Sequence, residues 1–535
     1  MGGSSIVRHA LTSAPMPEVF RFSPQPHQAD RIQWRGWGQA AFAEAMQTRK
    51  PVFLVITSLW CQWCHNFDET TLSHPGVISM VNEHYIPIRV DSDLRPDINQ
   101  RYNQNGWPSV ALLSPDGEVL WGGVSVPTTR LLYYFSYIRR YYSDHQQELA
   151  EQVQMLQVQR NAPAEFGIAC PIFFQPQARQ LLETVPSEAA KVLYDLYDAE
   201  NGGFRIHSNL KFSHPDALEL LLILSRQNQP EALDMVRYSL AQMRDGGLWD
   251  NEEGAFFRYS AASDWSMPHT EKMLEENAAL LRVVAGLAQQ TKEGEWFDLT
   301  RQLVLSLNTL FWQAEKGVFS GSQSADEAYY GPGPYSRATR QRPLVDTTVY
   351  TSWNAQMISA YLLASHVLGY SSLRTIALQA LDYLCSHLIH PGGSVYHYEL
   401  EGQGGLPGQL ADQVWLTRAL LDAYEVSNQK QYLETAIALM HFVCRELFDS
   451  TNSLFYDSPV QADAIGRMAQ REQPLGENAL AAECLLRMAV YSRRPSMRVT
   501  GLHVLAGCLE QYHRTGIQGA LYACVVAQAL EKQWL

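Results

Sequence analysis

Two cysteines three residues apart, Cys61 and Cys64 in Trp60-Cys-Gln-Trp-Cys-His65, are the residues of this sequence best spaced for chemistry. A thiolate at the first position can attack a disulfide. The mixed disulfide so formed is resolved by a second thiol one helical turn further on. Cys61 is therefore the expected nucleophile and Cys64 the resolving thiol, with Trp60 and His65 as their immediate support. A second grouping lies far downstream, where His269, Glu271 and Lys272 gather a base, an acid and a cation within a few residues. Such a set can move a proton on a bound small molecule, with His269 and Glu271 as the acid–base candidates.

The cysteine spacing also fits a c-type haem attachment, a zinc site, or a thioredoxin-like fold whose pair is idle. Against haem stands the start of the chain, Met1 to Ala14, which lacks the apolar core of an export signal. Against zinc, no second Cys-x-x-Cys supplies the remaining ligands. No metal and no cofactor is expected, and the idle pair stays open at this point. Cys170, Cys385, Cys444, Cys484, Cys508 and Cys524 are scattered singly and are expected to be buried small hydrophobes.

The elements that must position the thiols are legible around them. Pro51 to Thr57 is a β-branched, apolar run that reads as a strand ending just before the cysteines, and the residues after them can continue as a helix. Cysteines at a strand-to-helix junction meet the free N–H groups and the dipole of a helix start, which stabilise a thiolate. A helix near His74 to Glu83, a strand Tyr85 to Val90, an Asp-rich turn and a strand Ser109 to Leu113 follow. Ser114-Pro-Asp-Gly117 turns the chain into Glu118 to Trp121, and a helix over Thr128 to Tyr142 closes the unit. With a helix around Trp37 to Arg49 in front, this is the thioredoxin order. Pro108 opens a strand and is a candidate cis proline.

From about residue 187 onward, apolar 3.6-residue spacing marks twelve helices, beginning near 187, 214, 230, 269, 294, 347, 371, 409, 430, 475, 495 and 517. Short and long connections alternate, which means stacked helical hairpins. Five long connections open with a similar pattern of small residues beside an aromatic or apolar one, such as Asn201-Gly-Gly-Phe204, Lys316-Gly-Val-Phe319 and Asn452-Ser-Leu-Phe-Tyr456. Six hairpins closed into a ring place these loops at one end, the expected mouth. Lys211, Lys272, Trp353, Asn354, Asp412, Glu477 and Asn478 stand near the helix starts that follow the loops and are the candidate substrate-binding residues. Trp249, Phe257, Tyr259 and Trp265 are candidates for an aromatic wall.

A chain of 535 residues exceeds one compact core, so a multidomain protein is expected. The reading divides it into an N-terminal extension over 1–29, an α/β thioredoxin-like domain over 30–145, a linker helix and connection over 146–186, and an all-α (α/α)6 toroid over 187–535. A net charge of −14 without a basic stripe argues against nucleic acid. No apolar stretch is long enough to span a bilayer, so no membrane association and a cytoplasmic location are expected.

The series Trp37-Gly-Gln-Ala-Ala-Phe42, Trp63-Cys-His65, Arg95-Pro-Asp97, Gly106-Trp-Pro108, Pro115-Asp-Gly117, Lys211-Phe212, Pro268-His-Thr-Glu-Lys-Met-Leu274 and Thr351-Ser-Trp-Asn354 resembles the YyaL-like, DUF255 thioredoxin-domain family. The resemblance covers most of the chain. It implies a thioredoxin-like domain followed by a six-hairpin, glycosidase-like toroid similar to those of sugar epimerases and unsaturated glucuronyl hydrolases. It implies no settled reaction. The family commonly has histidine after its first cysteine, where this chain has Gln62. The expected function is thiol–disulfide exchange with a protein thiol or disulfide as partner. The alternatives are a sugar-active enzyme holding a sugar-like small molecule in the barrel, and a non-enzymatic two-domain scaffold.

Overall fold

The computed structural model describes residues 19–145 and 176–534, apart from 207–209, 228, 332–335 and 463, together with the single positions 148, 151 and 155. Cys170 and most of the expected 146–186 connection lie outside these residues. Contacts divide the chain into two units, one of Met1–Ser58 and Trp63–Leu149, the other of Leu59–Gln62 and Ala150–Leu535.

In the first unit a four-stranded sheet has the order β2-β1-β3-β4, with β1 at Val52–Thr57, β2 at Ile86–Asp91, β3 at Ser109–Leu113 and β4 at Val119–Val124. β1 runs parallel to β2 and antiparallel to β3. Every residue of β1 is buried, which explains its unbroken apolar run: helices cover both faces of a central strand of this kind. Phe53 and Val55 share one core with Phe67 of α2 (Gln62–Glu69), Val77 and Val81 of α3 (Pro75–His84), and Leu131 and Phe135 of α5 (Thr128–Asp144). An α1 helix, Gln39–Thr48, precedes the sheet. Asp68 of α2 is tied to Arg89 of β2 by two hydrogen bonds of 2.8 Å, fixing the helix that starts at the cysteines onto the sheet. Gly117 turns the β3–β4 hairpin at φ 83°, where its N–H donates to the Ser114 carbonyl at 2.9 Å. The Trp107–Pro108 bond is cis.

One element of this unit departs from the expected turn after β2. Pro96–Tyr102 forms a helix, α4, with Pro96 in its first turn and Asp97 beside it. It is only seven residues long, too short for an apolar period to stand out. Its buried Ile98 and Tyr102, four apart, hold it down.

The second unit contains the twelve expected helices: α6 (Pro176–Leu196), α7 (Pro215–Ser225), α8 (Pro230–Gly246), α9 (Leu274–Thr291), α10 (Gly294–Phe311), α11 (Thr351–Leu368), α12 (Ser371–His387), α13 (Leu410–Ser427), α14 (Lys430–Glu446), α15 (Leu475–Ser492), α16 (Pro495–Gly507) and α17 (Ala520–Glu531). Neighbour contacts run α7–α9–α11–α13–α15–α17 and back to α7, a closed inner ring. Each inner helix also packs on an outer partner. Five partners follow in sequence after a few residues, while the sixth pair is α17 with α6, so the last inner helix closes on the first outer one. The inner helices are apolar nearly all round, as a ring packed on both flanks demands.

Four helix starts differ from expectation, that of α17 lying at 520 rather than 517 because residues 516–519 form a 3-10 turn. α6 starts at 176 rather than 187 and carries Pro186 inside it. That proline mimicked a first-turn residue. α9 and α11 start at 274 and 351 rather than 269 and 347, because the residues before them form short strands. Pro268–His269 pairs with Tyr259–Ser260, which pairs with Lys211–Phe212. Lys272–Met273 pairs with Ser322–Gln323, and Val349–Tyr350 with the Tyr396–Leu400 strand. The loops that precede the inner helices are thus stiffened by small sheets. Among the six single cysteines, Cys484, Cys508 and Cys524 are buried as expected, but Cys385 is half-buried and Cys444 is exposed.

Candidate functional site

Cys61 immediately precedes α2, and Cys64 is its third residue. Both are buried, Cys61 at 3% exposure and Cys64 at 1%, whereas Trp63 between them is 53% exposed. The helical turn that buries the sulfurs points the intervening indole outward. His65 is buried in the same helix. The Leu59–Gln62 segment belongs to the second unit, and there the Arg258 guanidinium lies 4.1 Å from the centre of the Trp60 ring. Ser324 Oγ donates to the Leu59 carbonyl at 3.0 Å, and the Ala325 N–H to that of Trp60 at 3.2 Å.

Two expected ligand residues of the barrel are consumed by the fold. Asn354 is fully buried: its Oδ1 accepts the Phe319 N–H at 2.9 Å, and its Nδ2 donates to the carbonyls of Phe319 at 3.1 Å and Tyr350 at 3.0 Å. Asn478 brackets Phe455 in the same way and also bonds the Pro474 carbonyl. Asn277, which sequence reasoning passed over, does so for Phe256 and Met273. Each asparagine is the fourth residue of an inner helix and clamps the aromatic of the preceding loop. At Phe319 and Phe455 the aromatic of the recurring small-residue pattern and the asparagine are two halves of one bracket, and their role is structural.

The lysines are likewise paired. Lys211 Nζ lies 2.6 Å from Asp198, and Lys272 Nζ 2.7 Å from Asp250, all four side chains being almost fully buried. Burial pushes both lysines below the ordinary ammonium range, and the aspartates pull them back. Burial would raise Asp198, but its hydrogen bonds from Arg205 and Lys211 hold it well below the usual carboxylate range. Trp353 packs on Tyr350 with ring centres 4.3 Å apart. Of the expected aromatic wall, Trp249, Phe257 and Trp265 are core residues, and Trp265 donates from its indole to the Asn201 carbonyl at 2.8 Å. Tyr259 alone of the four is half-buried, stacked on His269 at 4.2 Å.

What remains at the helix starts is a set of acids with few cations. His269 is held below its ordinary range by burial and by Arg258. Burial raises Glu271, lifts Glu275 to about 7 and lifts Glu276 to about 8, with Arg258 opposing each shift. Arg258 Nε stands 3.6 Å from Glu276. Asp412 is fully buried, with one oxygen 2.8 Å from His397 Nδ1 and the other accepting the Ser352 N–H at 3.1 Å. His397, which the sequence did not single out, is therefore a ring nitrogen oriented by a carboxylate. Burial raises Glu477 as well. Among the described residues no three His, Cys, Asp or Glu side chains are grouped to hold a metal ion.

Residues 23–160 match the family Thioredox_DsbH, described as a protein of unknown function, DUF255. Spermatogenesis-associated protein 20 of Homo sapiens is 24% identical over 81% of this chain and 69% of its own length. The Mus musculus protein of that name is also 24% identical, over 85% of this chain and 72% of its own. Among solved structures, cellobiose 2-epimerase from Spirochaeta thermophila matches with a TM-score of 0.52 at 15% identity, over 67% of this chain and 99% of that one. Cellobiose 2-epimerase from Bacillus thermoamylovorans matches at 0.52 and 10% identity, over 64% and 88%. At such identities these likenesses establish the (α/α)6 toroid fold and nothing of its chemistry. No helix among the described residues is long and apolar enough to cross a membrane.

Proposed function

Starting from a chain that carries a DUF255 thioredoxin-like domain ahead of an (α/α)6 toroid, we propose that it is a cytoplasmic thiol–disulfide oxidoreductase acting through Cys61 and Cys64. The observation that carries this reading is the pair's place at the start of α2: Cys61 just before the first helical residue, Cys64 one turn in. The reacting form of Cys61 is its thiolate. That thiolate attacks a disulfide RSSR, forming a Cys61–SR bond and releasing one RS⁻. Cys64 then attacks the Cys61 sulfur and expels the second RS⁻. The substrate gains two electrons and the protein is left with a Cys61–Cys64 disulfide, which an external dithiol must reduce for turnover. With Cys61 only 3% exposed, an extended or low-molecular-mass disulfide fits better than one on a folded surface. The toroid then serves as the specificity element.

The test is reduction of glutathione disulfide, and of insulin, by wild type and Cys61→Ser with a dithiol as electron source. Loss of the rate in the variant supports the proposal, and equal rates reject it. A second reading, proton transfer on a sugar-like molecule in the toroid, is favoured by His397 held by Asp412 near carboxyls raised toward neutrality. Under it, His397→Ala would abolish turnover of a sugar substrate while leaving thiol exchange intact.

A further inference from the structure

The first turns of the inner helices carry more carboxyls than the cations around them neutralise. Asp216 stands in the first turn of α7, Glu275 and Glu276 in that of α9, and Glu477 in that of α15. The closed ring brings these starts to the same end. Glu477 senses the charges of Asp216 and Asp457, while Glu276 senses those of Glu275 and Glu271. The groups facing Glu275 and Glu276 are Arg258, Glu271 and His397, and His397 is already committed to Asp412. The Glu271 side chain is 97% buried by its 3% exposure, and its Oε2 has no hydrogen-bond partner among the described residues. Glu276, by contrast, keeps 28% of its side chain exposed. Deeper in the ring the charges are matched, Glu219 with Arg282 and Asp422 with Arg487 at 2.6 Å. Asp216 faces this paired layer, with Glu219, Arg282 and Arg418 around it.

We infer that this end of the toroid binds an organic cation bearing primary ammonium groups. An ammonium presents three N–H donors and can bridge carboxylates that are set apart from one another. A metal ion needs its ligands gathered at one point, and no such group exists among the described residues. The empty site avoids the cost of several buried carboxylates by holding protons: Asp216 is pushed up to about 6, Glu275 to about 7 and Glu276 to about 8 by burial. An arriving ammonium displaces those protons. Binding of an amine that stays protonated across this range therefore releases protons near neutral pH and tightens as pH rises from 6 to 8, levelling off above.

A linear polyamine and an amino sugar share the recognising chemistry, and the experiment separates them. The full chain is titrated calorimetrically with spermidine, with glucosamine and with glucose, at pH 6, 7 and 8 and in two buffers of different ionisation heat. Binding of spermidine alone identifies a polyamine site, and binding of glucosamine alone an amino-sugar site. Either affinity falls about 10-fold or more in the Glu275→Gln/Glu276→Gln double variant, and again in Glu477→Gln, with helical content unchanged. Glucose binding as tightly as the amines, amine binding indifferent to both variants, or no heat from either amine overturns the inference.

Discussion

Asn354→Ala tests the bracket that holds the toroid's loops. Alanine removes three hydrogen bonds of 2.9–3.1 Å and strands the Phe319 N–H and two carbonyls in a site that is fully buried. A buried backbone group left unsatisfied costs about 1–3 kcal/mol, and the carbonyls lose less than the N–H because each keeps a second lone pair, so about 3 kcal/mol is expected in total. Urea unfolding followed by far-ultraviolet circular dichroism reads the helical toroid directly. Asn354→Asp is the informative companion. It keeps the acceptor for Phe319 but loses both donated bonds and buries a charge, so at neutral pH it is as damaging as alanine or more so, with partial recovery as the new carboxyl is protonated. Asn277→Ala and Asn478→Ala repeat the loss at equivalent positions. A cost below about 1 kcal/mol for Asn354→Ala would refute the bracket as a source of stability.

Lys272→Met leaves Asp250 buried with Arg337 as its remaining cation, and is expected to cost about 3–5 kcal/mol in the same assay, with little loss if Asp250 is changed to Asn at the same time. Glu276 is a carboxyl whose folded value, about 8, lies above its unfolded one, so its contribution is fully present below about pH 4 and is lost as pH rises toward 8. Glu276→Gln should therefore match wild type at acid pH and exceed it by about 1–2 kcal/mol at pH 8, the figure being reduced for water reaching the side chain. Gly203→Ala places a methyl 2.7 Å from the Trp265 ring at φ 71°, and a loss of about 2–4 kcal/mol is expected in thermal or urea unfolding.

The sequence exposed most clearly what depends on neighbours along the chain. The apolar run of β1 leading into Cys61 located the pair, and the 3.6-residue period found all twelve toroid helices. Boundaries slipped where local chemistry has two meanings. Pro186 can begin a helix or be tolerated within one, and Pro268–Met273 carries polar residues that suit a helix start but pairs instead with strands nearby and some 50 residues away. The site itself was harder to read. Lys211 and Lys272 looked available for a ligand because their partners, Asp198 and Asp250, are contributed by preceding loops. His397 was invisible because its significance rests on Asp412, which reaches it only once the Tyr396–Leu400 strand has paired. Glu275 and Glu276 were not singled out in the sequence, and only the closed ring makes them unusual.

The central claim is that Cys61 is the attacking thiol and Cys64 the resolving one. The most direct test incubates the Cys64→Ser chain with glutathione disulfide and measures its intact mass and the site of any adduct. One glutathione on Cys61 is expected, released by dithiol and absent from Cys61→Ser. No adduct on Cys61, or an adduct that forms equally when Cys61 is serine, would contradict it.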